Sequence, residues 1–186
     1  METDAASKPN WITLIAQSLF ILVLINWTFS MLKTYLPGDA PWIALNFADL
    51  IFHEAGHFIF IFLGDFMHVI GGSLNQVLIP GIVLVAFLRE RQWFAAGFAI
   101  FWLGENLVNV AYYIGDSRAL LLPLITGDEN THDWHYLLTM MNLLNQDTLI
   151  AHAVLIMGGA VMIGGIGAMA YRSYLDGVYL FTPKQN

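Results

Sequence analysis

Cysteine is absent from the 186-residue chain. That excludes disulfides, thiolate catalysis and cysteine-based zinc sites, and leaves His, Asp and Glu as the side chains able to hold a metal. Basic residues are scarce: seven Lys and Arg stand against fourteen Asp and Glu, for a formal net charge of −7. No basic patch can form, so nucleic acid is excluded as a partner. Charge of either sign is scarce too, at 11% of residues, where soluble domains average roughly 25%. No internal repeat or low-complexity segment is present. A typical cleavable signal is also missing. The first apolar run, about 11–32, is longer than the roughly 7–15 residues of a signal h-region, has no Ala-x-Ala end and is followed by Lys33. It is expected to be a retained membrane anchor.

What the chain has in abundance is apolar residues, 58% of the total, with a mean hydropathy of +0.63. The expected fold is all-α: one transmembrane domain over residues 1–186, a polytopic helix bundle with about five membrane segments in the lipid bilayer. The segments are drawn at about 11–32, 42–63, 69–88, 93–115 and 148–171. Pro37-Gly38-Asp39 and Pro41 predict a turn before the second. The third contains Gly71-Gly72-Ser73-Leu74-Asn75-Gln76 and then Pro80-Gly81. This predicts a broken or re-entrant segment, because unpaired backbone is tolerated at membrane depth only where it lines a cavity. In the fifth, Ala160, Gly164 and Ala168 predict a ridge for close helix packing.

Lys and Arg set the expected orientation. With Arg89 and Arg91 in the cytoplasm, Lys33, Arg172 and Lys184 also fall inside, and only Lys8 and Arg118 fall outside. The N-terminus is then outside a plasma (inner) membrane and the C-terminus cytoplasmic. Residues 71–76 and the polar stretch 126–135 share the outer side.

The most informative five residues are His53-Glu54-Ala55-Gly56-His57, inside the second apolar segment. On a helix the two histidines are i and i+4, so both imidazoles leave one face, as two ligands of one tetrahedral Zn²⁺ require. Glu54 is then placed beside the metal, where it can take a proton from a metal-activated water. A charged side chain at the bilayer centre costs roughly 2.5–3.5 kcal/mol, so three ionisable groups in two turns need a reason. A third protein ligand is required. The candidates are His132, Asp133, His135, Glu105, His152 and Asp176, with His132 or Asp133 favoured because orientation puts them on the side of His57.

Other polar residues fall into supporting positions. Glu105, Asn109, Tyr112 and Asp116 form one helical stripe at i, i+4, i+7 and i+11, bordered by Asn106. Glu105 or Asp116 is expected to accept the second N–H of a ligating histidine, fixing its tautomer, or Glu105 to ligate a second metal. Asp49 shares the face of His53 and is a further partner of that kind. Asn75 and Gln76 are expected to hydrogen-bond a substrate backbone or an oxyanion.

A His-Glu-x-x-His motif within a membrane helix resembles the site-2 protease type of intramembrane metalloprotease. The resemblance implies a zinc peptidase cutting membrane-protein substrates, with His53 and His57 as ligands and Glu54 as the general base. It also implies a third ligand from an Asp on a later membrane helix, in a Leu-Asp-Gly motif. Leu175-Asp176-Gly177 has those letters. Straight spans, however, put Asp176 roughly ten residues, or about 15 Å, from His57. Alternatives are a zinc-dependent lipid amide or ester hydrolase and a non-catalytic metal-binding membrane protein.

Overall fold

The computed structural model describes residues 10–33, 44–122 and 132–181. The Pro37–Pro41 turn, Lys8, Lys184 and residues 126–131 of the polar stretch lie outside them. The described residues form an all-α bundle with no strand. In chain order it contains α1 (Trp11–Lys33), α2 (Ala44–Phe60), a 3₁₀ turn (Ile61–Leu63), α3 (Asp65–Arg89), α4 (Trp93–Gly115), α5 (Asp133–Met140), a second 3₁₀ turn (Leu144–Gln146) and α6 (Asp147–Phe181).

Four helices, α1, α3, α4 and α6, are long and apolar enough to cross a membrane. This is a membrane protein. Helix α1 shows why. Only one stripe of it is buried, Ile21, Leu24, Thr28 and Met31. Ile12, Leu22 and Phe29 stay exposed, which hydrocarbon tolerates and water does not. The polar member of the stripe, Thr28, donates its hydroxyl hydrogen to the Leu24 carbonyl at 2.9 Å.

Over the second expected segment, 42–63, the described residues begin at 44. Helix α2 has 17 residues, about 25 Å at 1.5 Å each, short of a ~30 Å hydrocarbon core. It gives way to the 3₁₀ turn and to Gly64, whose φ of 92° is open to glycine and strained for other residues.

The expected break in the third segment is corrected. Helix α3 runs unbroken through Gly71, Gly72 and Pro80. Its glycines serve helix packing instead. A Cβ on Gly56 would collide with the Gly71 carbonyl, and one on Gly71 would lie 2.8 Å from the Gly56 carbonyl oxygen. Each glycine makes room for the other helix's backbone.

Helices α4 and α6 form the most extensive pair, and here the expected small-residue ridge falls on the wrong face. Gly164 faces open space, and Ala160 is exposed. The contact uses Gly158 and Gly165 against Gly97, Phe101, Gly104 and Val108. Gly165→Ala would put a Cβ 2.5 Å from the Phe101 backbone nitrogen. It should therefore cost about 1–3 kcal/mol, while Gly164→Ala should cost nothing. Thermal unfolding in detergent checks the pair, and equal effects would refute the assigned face.

Around this contact lies the main core of Ile21, Leu24, Met31, Phe101, Val108, Tyr112, Met162 and Met169. A smaller cluster of Val110, Ile114, Leu138 and Ala151 joins α5 to α4 and α6. Arg118, just after α4, pairs with Asp147 at the start of α6 at 2.6 Å.

Candidate metal centre

One end of the bundle gathers the close of α2, the first turns of α3, the close of α4 and the start of α5. His53 and His57 leave α2 one turn apart, their rings edge to face with centroids 5.0 Å apart. Asp133, the first residue of α5, brings Oδ2 to 2.9 Å from His53 Nε2 and 3.4 Å from His57 Nε2. The ligand atoms of these three residues lie within 4.8 Å of one another and can hold a metal ion.

Each histidine is oriented by its other nitrogen. His53 Nδ1 donates to Gln76 Oε1 at 2.7 Å. His57 Nδ1 donates to the His68 carbonyl at 2.9 Å, and His68 Nδ1 returns the bond to the His57 carbonyl at 2.9 Å. A neutral ring with its proton on Nδ1 keeps the Nε2 lone pair for a metal.

Glycine makes the room. A Cβ on Gly72 would lie 2.6 Å from His53 Nε2 and 2.7 Å from His57 Nε2. The donor set also fits in spacing. Bonds of ~2.0 Å at tetrahedral angles separate ligand atoms by about 3.3 Å, close to the two distances to Asp133.

Helix α5 is pinned where it delivers Asp133. The Asp133 backbone N–H donates to the Tyr113 hydroxyl at 3.1 Å, and Trp134 Nε1 donates to Ser73 Oγ at 3.0 Å. Burial alone would push the Asp133 carboxyl up. The His53 and His57 rings beside it outweigh that and hold it below the ordinary carboxylate range.

The remaining sequence candidates lie elsewhere. His132 caps α5: its Nδ1 accepts the His135 N–H at 3.1 Å, and its Nε2 lies 3.4 Å from Asp116 Oδ2. Successive residues at a helix start point about 100° apart, so His132 and Asp133 cannot both face the histidines. His135 Nδ1 donates to the Ser117 carbonyl, and His152 Nδ1 to the Thr148 carbonyl. Asp176 pairs with Arg172 at 2.5 Å.

Asn75 and Gln76 both bond to α2 rather than standing ready for a substrate. The Asn75 amide donates to the Phe52 carbonyl at 2.7 Å, and Gln76 holds His53. The α4 stripe divides. Glu105 joins Asn106 and Asp49, the Tyr112 hydroxyl donates to the Met31 carbonyl, and Asp116 accepts the N–H groups of Leu121 and Leu122. Neither Glu105, Asp116 nor Asp49 orients a metal-site histidine; Gln76 and the His68 carbonyl do. Asn109 is half-buried on α4, outside the three-residue group. Glu54 is exposed, near enough to His57 and Tyr113 to act on both electrostatically.

Sequence reasoning missed Gly72, Tyr113 and the His68 carbonyl. The adjacent glycines at 71 and 72 were the signal for the first; nothing in the spacing marks the other two. Comparison with protein-family models, curated proteins and solved structures finds no match to this chain.

The contact from Gln76 carries a prediction. Gln76→Leu should lower metal affinity about 10–100-fold, the usual effect of removing a partner that orients a ligand. Chelator competition measures it, and unchanged affinity would remove Gln76 from that role.

Proposed function

We propose that this protein is a membrane-embedded zinc hydrolase, a peptidase acting on membrane-protein substrates. The observation that carries the proposal is the pair of anchored histidines presenting Nε2 to Asp133 over the side-chain-free Gly72. Two histidines and a carboxylate are a known type of catalytic zinc donor set, leaving one position for water or substrate.

Bound zinc would supply a Lewis acid and water acidified to a pKa near ~7. The chain's own residues do the rest. Asp133, His53 and His57 hold the ion. Glu54, next to His53 and exposed, accepts a proton from the attacking water and passes it to the leaving group. Ile51, Phe47 and Phe58 are exposed on α2 around Glu54. Their apolar surface suits a substrate segment that is itself apolar, which supports a membrane-protein substrate over a soluble peptide.

The orientation proposed with this function puts the C-terminus in the cytoplasm of a plasma (inner) membrane. The expected outside N-terminus is corrected. Ser173, near the close of α6, donates to Gln17, near the start of α1, at 2.9 Å, which places the start of α1 at that same end of the bundle. The end of the bundle bearing α5 then faces outward, and so does the metal site.

Elemental analysis tests the proposal. Gently purified protein should carry about one zinc per chain, and His53→Ala should carry none. Wild type without metal would overturn it.

A further inference from the structure

One helical turn before His53, α2 buries a second acidic side chain. Asp49 is 2% exposed, and Glu105 and Asn106 on α4 are fully buried. Asp49 Oδ1 accepts from Trp102 Nε1 at 2.8 Å and from Asn106 Nδ2 at 3.1 Å. The same Asn106 nitrogen lies 3.4 Å from Glu105 Oε2. One amide nitrogen, Asn106 Nδ2, therefore reaches both carboxyl groups. Asp49 Oδ2, Glu105 Oε1 and Asn106 Oδ1 are buried with no donor.

Among the described residues no cation serves the cluster. Arg118 and Arg172 pair with Asp147 and Asp176, and Lys33, Arg89 and Arg91 stand at or beyond helix ends. The His53 nitrogens face Gln76 and Asp133. Among the described residues no titratable side chain of α1, α3, α5 or α6 bonds to either carboxyl.

An ionised carboxylate only accepts hydrogen bonds. Two in contact repel, and in a dry interior they cannot both stay charged. A proton on one of them removes the repulsion and turns an unpaired acceptor into a donor. We propose that Asp49 and Glu105 form a proton-binding site, distinct from the metal centre, that holds α2 against α4. Asp49 is the ionised member, because two N–H donors converge on its Oδ1. Glu105, with one long contact from Asn106, carries the proton. Both carboxyls are held by the same Asn106 nitrogen in a fully buried setting, which suits a proton as the occupant rather than a larger cation. As pH rises the pair loses its proton, both members charge, and the contact between α2 and α4 weakens.

Infrared spectroscopy of the full chain in lipid vesicles tests this. At neutral pH the wild type should show the carbonyl stretch of a protonated carboxylic acid, exchanging slowly in heavy water because the group is buried. Glu105→Gln should lose the band, and Asp49→Asn should shift it. Thermal stability of the wild type should fall as pH rises through the loss of that band. Glu105→Gln should show no such fall, since its amide N–H replaces the proton permanently. Absence of the band from wild type at neutral pH would overturn the proposal, as would its survival in Glu105→Gln. So would stability that depends on added sodium or calcium ions, which would mark a cation occupant. If a variant fails to fold, titration of the wild-type band decides alone. Zinc content plays no part in the measurement, so the outcome does not hang on the proposed hydrolase.

Discussion

Gly72→Ala should empty the metal site while leaving the bundle folded. Gly72 lies on α3 opposite the two histidines, and a Cβ there would lie 2.6 Å from His53 Nε2 and 2.7 Å from His57 Nε2. Those are the two atoms whose lone pairs a metal needs, so the methyl group competes directly with the ion for space. Glycine to alanine inside a helix otherwise gains up to about 1 kcal/mol of helix stability. Loss of metal therefore cannot be put down to a weakened α3. The rings can yield only by leaving Gln76 Oε1 and the His68 carbonyl, the contacts that aim them. Zinc content should fall from about one per chain to near zero, with helical circular dichroism unchanged. Full zinc content in Gly72→Ala would show that the metal, if bound, lies away from the gap between the rings.

Glu54→Gln should do the opposite, keeping the metal and removing turnover. Glu54 follows His53 on the helix but is not in the group formed by His53, His57 and Asp133. An amide has nearly the same shape and cannot take up a proton at neutral pH. Loss of a positioned general base costs about 10²–10⁴-fold in rate. The measurement is cleavage of membrane peptides reconstituted with wild type and variant at matched zinc content, followed by mass spectrometry. Loss of zinc from Glu54→Gln would make Glu54 a ligand, and undiminished cleavage would remove it from the chemistry.

The sequence by itself determined the membrane class, since 11% charge cannot cover a water-soluble surface. It also determined the histidine pair, because i and i+4 share a face on any helix. It put His132 and Asp133 forward as candidates for a third ligand. The rest depended on how each helix is rotated about its axis when it meets a neighbour, which residue spacing does not encode. That rotation set Asp133 rather than His132 beside the two histidines, and aimed Gln76 at His53 instead of at a substrate. It also put Gly158 and Gly165, rather than Ala160 and Gly164, against α4. The Gly71-Gly72 pair looked like a break because glycine is a poor helix former in isolation. Tertiary packing overrode that preference: Gly71 lets α2 and α3 approach, and Gly72 leaves open the space between two imidazoles.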